Sequence, residues 1–364
     1  RADLLEITQD DLLFRPSEVE ALFRDHYGWD LTSDQVTALT RRTEGWIIAL
    51  QLVWQGLKKG SPLGEVWSDQ GGSQDALFGY LAKEVLDRQK PFVRRFLLTT
   101  SVLERLTPEA CNALMEVDNS AQVLAELEEN GLFISQVPER GYRYHQLFHQ
   151  FLQEQARKDQ AVWRQNHLRA AAHFHETGEP EEAAVHYLAA GDAAAAADAL
   201  LEAARGLLDS GRIEVLLSLL SRLPESVVSQ RPALLLYWGD GLRLTSRFDE
   251  ALAYYERAAV AFRDRGDRVG LCRALIGQGQ VYLDTIQPGK ADGLLRQALE
   301  LADAVSDAER ATLMALIAEN ETNSGRPEHA ARLAQMAAQQ RPLRDEFEVR
   351  AHLRTGRLAA GLGI

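Results

Sequence analysis

The sequence predicts a mainly α protein, a helical segment and winged helix followed by a tetratricopeptide-like α-superhelix. Three observations predict it. Apolar residues recur at helical spacing through nearly all of the 364 residues, and only 11 prolines interrupt them. Strand signals concentrate in 132–137 (LFISQV) and 142–145 (YRYH), which flank Pro138, Glu139, Arg140 and Gly141 and read as a β-hairpin. Small residues then repeat in one fixed frame through the second half of the chain.

The elements follow in order. Residues 1–60 carry helices near 16–27, 32–43 and 44–58, with a weaker strand signal at Leu12–Phe14. Residues 61–75 (SPLGEVWSDQGGSQD) are rich in Gly, Ser and Asp and form the expected linker. Residues 76–158 give helices near 76–88, 91–101, 108–116 and 120–130, then the hairpin, then a helix from His145; this is the expected winged-helix domain. From 161 to 364 the chain is alanine-rich and repetitive.

The frame of those repeats is explicit. Small residues fall at Ala171, Ala183, Ala190; Gly239, Ala251, Ala258; Gly279, Ala291, Ala298; and Ala318, Ala330, Ala337, with gaps of twelve and then seven every time. Paired helices that approach closely need small residues at such points, because a large side chain would wedge them apart. Bulky partners keep the same frame at Phe174, Leu242 and Tyr282, and at Tyr187, Tyr255 and Leu295. Glu321 and Ala334 replace them in the last set, which is therefore degenerate. The first two sets lie 68 residues apart, against 40 and 39 for the rest, so one further helix pair is expected near 192–208 and 212–223.

Composition narrows the function. Acidic residues number 53 against 40 basic, a net charge of −13, so the chain lacks the overall basic excess of a nucleic-acid binder. Two cysteines, Cys111 and Cys272, make no disulfide framework, and no run of about 18 apolar residues is present to span a bilayer. The expectation is a cytoplasmic, reduced protein with no membrane partner, and a fragment, since it opens on Arg1 in running sequence. Phosphate-loop, H-E-x-x-H, C-x-x-C and G-x-S-x-G motifs do not occur, so no enzyme activity, metal or resident cofactor is expected. His145 and His149 stand four apart without a third ligand, and His173 and His175 stand two apart on different helix faces. Residues 120–130 (SAQVLAELEEN), where a winged helix would read DNA, hold three Glu and no Lys or Arg; phosphates would be repelled there.

Four blocks in order, DLLFRPSEVEALF (11–23), TEGWIIALQL (43–52), FLLTTSVLERLTPEACNAL (96–114) and GLFISQ…YRYHQLFHQFL (131–152), resemble the large bacterial signal-transduction ATPases of the LuxR type. The resemblance covers residues 11–152, and the helical repeats follow where that family carries its effector sensor. It implies a nucleotide-binding core before Arg1 and a helix-turn-helix after Ile364, through which alone DNA would be bound. ATP or ADP is implied for the full-length protein, as is ligand-driven self-association. It also implies that Gly45 and Trp46 sit at the turn set against adenine, although the family's proline is missing here, and that His145 senses the terminal phosphate.

In a tetratricopeptide frame the first helix of each pair lines the inner wall. That places Asp240, Arg243, Arg273, Gln280, Asp284, Glu319, Thr322 and Asn323 on an effector or partner groove, while Trp238 falls at a packing position. The groove suits a small-molecule inducer, a peptide or a regulatory protein. Two readings result: the sensor part of an ATP-dependent transcription regulator, or a tetratricopeptide scaffold for protein–protein interaction.

Overall fold

A computed structural model describes residues 13–43, 45–58, 79, 82–83, 85–130, 132–137 and 141–340. The predicted linker 61–75, the turn residues 138–140, Glu44 and the final segment 341–364 lie outside the described residues. The chain divides into two compact units, Arg1–Ala170 and Ala171–Ile364.

The first unit opens with α1 (Pro16–Ala21), in which Pro16 starts the helix and the Glu18 carboxylate accepts from the Arg15 N–H at 2.8 Å. It widens into a π-helical turn over Leu22–His26, closed by the Tyr27 N–H on the Leu22 carbonyl. Thr32 and Gln35 cap α2 (Ser33–Thr43) reciprocally, each side chain accepting from the other's backbone N–H. The predicted third helix starts later than the sequence placed it: α3 is Ile47–Lys58, because Gly45 takes φ +75° and breaks the run. Phe14 is not in a strand; its N–H donates to the Gly45 carbonyl at 2.7 Å.

The winged helix follows as α4 (Pro91–Thr100), α5 (Pro108–Met115), α6 (Ser120–Glu129), β1 (Ile134–Val137), β2 (Gly141–Tyr144) and α7 (Gln146–Ala156). The strands are antiparallel, with Ile134 opposite Tyr144 and Val137 opposite Gly141. Leu106 extends this small sheet, exchanging backbone hydrogen bonds with Tyr142 at 2.8 and 2.9 Å. Phe96, Leu97, Leu114, Leu124, Phe148 and Leu152 are fully enclosed and form the core. Across it, the Tyr144 hydroxyl and Thr100 Oγ1 share a hydrogen bond of 2.6 Å.

A continuous helix, α8 (Gln160–Glu176), carries the division between the units, which falls ten residues beyond the sequence-predicted start of the repeats at 161. The second unit continues through α9 (Pro180–Ala189), α10 (Ala193–Asp209), α11 (Ile213–Ser221), the short α12 (Glu225–Val228), α13 (Pro232–Leu244) and α14 (Phe248–Asp264). It ends with α15 (Arg268–Asp284), α16 (Pro288–Glu300), α17 (Asp307–Asn323) and α18 (Pro327–Gln340). Helices α10 and α11 are the additional pair that the 68-residue gap predicts. The small-residue frame is buried as expected: Ala171, Ala183, Ala251, Ala258, Ala291, Ala298 and Ala318 are all fully enclosed. A Cβ on Gly279 would lie 2.6 Å from Leu295, so the helix approach there depends on glycine.

Candidate functional site

Helices α13, α15 and α17 are the first members of successive pairs; α13 packs on α15, and α15 on α17. The sequence-predicted groove residues lie on them, and the structure ties several into one polar chain. Tyr255 on α14 slides its ring between Gly239 and Gly277, where a Cβ would meet the ring at 2.7 and 2.4 Å. Its hydroxyl donates to Asp240 Oδ1 at 2.6 Å. Arg243, one turn on from Asp240, donates to Asp284 Oδ2 at 2.8 Å and so joins α13 to α15.

Electrostatics follow from this packing. Burial pushes the Asp240 carboxyl above its ordinary range, against the pull of the Tyr255 bond and of Arg243 and Arg205. Burial, reinforced by Asp240, raises the Tyr255 phenol, which stays a neutral donor. Arg243 Nε is enclosed without a hydrogen-bond partner, so this guanidinium uses only part of its donor set.

The other groove residues separate from this chain. Arg273 is exposed and donates to Glu309 Oε1 at 2.6 Å, linking α15 to α17. Gln280 and Asn323 are half-buried, as is Glu319. Thr322 turns its hydroxyl back to the Ala318 carbonyl at 3.0 Å. Trp238 stacks on Tyr254 with ring centroids 4.6 Å apart, in keeping with a packing position. Sequence reasoning missed that Tyr255, itself buried, bonds to Asp240 and that Glu309 bonds to Arg273, because both links are made between helices and no spacing announces them.

In the first unit, Gly45 is buried and needed where it stands, since a Cβ would fall 2.2 Å from the Phe14 carbonyl oxygen. Trp46 is half-buried and opens α3, its carbonyl accepting from the Leu50 N–H at 3.0 Å. His145 caps α7 with its backbone, donates its N–H to the Phe133 carbonyl at 2.7 Å, and leaves its imidazole exposed. Neighbouring protein still strips part of its hydration, and this loss, aided by the charge of Arg143, lowers that imidazole's pKa and favours its neutral form. His149 is turned inward, its Nε2 donating to the Ser101 carbonyl at 2.7 Å. Among the described residues no group of three or more His, Cys, Asp or Glu could hold a metal ion, and no helix is long and apolar enough to cross a membrane.

Comparison with known proteins places this architecture. Residues 82–164 match the MalT winged helix domain, and residues 230–304 match the tetratricopeptide repeat. The serine/threonine-protein kinase PknK of Mycobacterium tuberculosis (strain ATCC 25618 / H37Rv) is 31% identical over 316 residues, 83% of this chain and 28% of the kinase. The HTH-type transcriptional regulator MalT of Yersinia pestis (strain Pestoides F) is 30% identical over 308 residues, 82% of this chain and 34% of the regulator. The chain thus spans about a third of the length of these curated relatives. A solved structure, the STAND protein with a tetratricopeptide repeat sensor PH0952 from Pyrococcus horikoshii, superposes with a TM-score of 0.41 at 15% identity, covering 90% of this chain and 54% of that one; the likeness is too loose to carry an argument. Both domain types are non-catalytic kinds. The chain carries a winged helix domain of the MalT type followed by tetratricopeptide repeats, and is related to MalT and PknK.

Proposed function

We propose that this chain is the regulatory input of a larger ATP-dependent transcription regulator. It binds an effector or partner protein along α13, α15 and α17 and relays that event through the winged helix. The observation that carries the reading is that Arg243–Asp284 and Arg273–Glu309 cross from repeat to repeat on the first helices, with Asp240 beside them held by Tyr255 of α14. A ligand that exchanges bonds with these groups alters how successive repeats sit, which is the differential contact that linkage requires.

The relatives support an input role. One is named a kinase and the other a transcriptional regulator, yet both align with this chain over more than 300 residues. A segment common to two different outputs is best read as what governs them. ATP or ADP then belongs to the longer protein, with His145, Gly45 and Trp46 set towards the nucleotide, and DNA is bound outside this chain. The cytoplasm is the compartment that fits such a role. The scaffold reading, a peptide-binding adaptor, draws on the same tetratricopeptide match.

A thermal-shift screen of the chain against sugars, nucleotides and short peptides tests the proposal. A saturable upward shift from one class, abolished by Arg243→Ala or Arg273→Ala, is the expected result. A shift that survives both substitutions contradicts the groove assignment, and binding confined to peptides favours the scaffold.

A further inference from the structure

The last described repeat departs from the others at one buried position. Three residues beyond the small residue of each first helix, the two preceding repeats place Leu242 and Tyr282; here Glu321 occupies the place. Its side chain is 1% exposed, and two arginines and a histidine converge on it from two sides. Arg326, in the turn before α18, donates Nε–H to Oε2. His329 of α18 lies with Nδ1 3.4 Å from Oε2, and Arg296 of α16 brings a terminal nitrogen to 3.5 Å from Oε1. All three partners remain more than half exposed, and Arg296 also holds Asp292 at 2.8 Å. The hydrogen bond from Arg326, ahead of the cost of burial, holds the Glu321 carboxyl below its usual range. Beside it Asn320 is equally buried, with Oδ1 lacking a hydrogen-bond partner.

An apolar residue would fill this place without any charge to neutralise, as Leu242 does. Buried ion pairs seldom stabilise more than the hydrophobic packing they displace. What they change is the response: added salt does not weaken apolar packing, whereas an ion cluster whose arginines face solvent weakens as counter-ions screen them, though less than a fully exposed pair does. The cluster also joins the α17–α18 hairpin to itself and to α16, the three elements whose separation would free this repeat.

We propose that Glu321 is an ionic latch that holds the α17–α18 hairpin closed on α16, so that this repeat opens separately from those before it when the charges are screened or captured by a competing anionic group. Helix α17 also carries Glu319, Thr322 and Asn323, so the latch decides whether that end of the groove is assembled. That link rests on the proposed function; the latch itself does not.

Hydrogen exchange read by mass spectrometry on this chain, without ligand, tests it. Wild type, Glu321→Gln and Glu321→Leu are compared at about 0.05 M and about 0.5 M sodium chloride. In Glu321→Gln, peptides from 327–340 are expected to exchange about tenfold faster while those of α13–α15 keep their protection. In wild type the same peptides lose protection as salt rises, and in Glu321→Leu they stay protected at both concentrations. Unchanged exchange in Glu321→Gln, equal salt sensitivity in Glu321→Leu, or loss of protection throughout the second unit would each overturn the latch. Because no effector is present, failure here leaves the groove reading standing, and a silent effector screen leaves the latch standing.

Discussion

Ile286 occupies a conformation its side chain disfavours. It is β-branched, 74% exposed, and holds φ at +53°, seven residues after Gly279. The equivalent turn position after Ala171 and Ala318 is a glycine, Gly178 and Gly325, with φ of +79° and +75°. A left-handed backbone costs a non-glycine residue about 1–2 kcal/mol, and the exposed Ile286 side chain recovers little of it. Ile286→Gly is therefore expected to raise stability by about 0.5–1 kcal/mol after the entropy cost of glycine. A urea unfolding midpoint measures this, and a lowered midpoint would show that Ile286 makes contacts that outweigh its backbone. Ser246, at the same place one repeat earlier with φ +62°, should gain less from glycine because serine has no branched Cβ to crowd the turn.

Between elements, one ring fixes the spacing of three helices. Tyr255 fits only because Gly239 on α13 and Gly277 on α15 lack a Cβ. Gly277→Ala should push the ring away, strain the bond to Asp240 and cost about 1–3 kcal/mol, the range for overpacking a filled core. Gly289→Ala, in a helix and with nothing within 4 Å of the new methyl, is the control and should be neutral or stabilising. Equal midpoints for the two variants would contradict the account of the ring. Half of this device was legible in the sequence: Gly239 and Tyr255 belong to the repeating frame of small and bulky residues. Gly277 and Asp240 fall outside that frame, and their roles arise only when α14 is laid against α13 and α15. The winged helix was legible for a local reason, since turn residues between two short runs rich in aromatic and β-branched residues specify a hairpin. Glu321 showed as a break in the frame, but its partners come from α16 and α18, and nothing in the spacing joins them to it.

Across the whole molecule, arginine–carboxylate pairs recur from one helix pair to the next in the second unit. Arg212 meets Glu181, Arg231 meets Asp198, Arg257 meets Glu225, Arg243 meets Asp284, Arg273 meets Glu309 and Arg268 meets Asp303. Where both partners are exposed, as in Arg257–Glu225 and Arg268–Asp303, such pairs contribute little each, about 0–1 kcal/mol. In a stacked array, where each repeat touches chiefly its neighbours, they matter more for setting the angle between repeats than for holding the fold together. Such an array can respond to a ligand that competes for one pair, and that response is what an input domain must supply. The most direct test is a hydrogen-exchange footprint of the full chain with any compound that shifts its melting temperature. The account predicts new protection in 232–244 and 268–284, absent in Arg243→Ala. Protection confined to residues 13–58 or 91–156, with α13 and α15 unchanged, would contradict it.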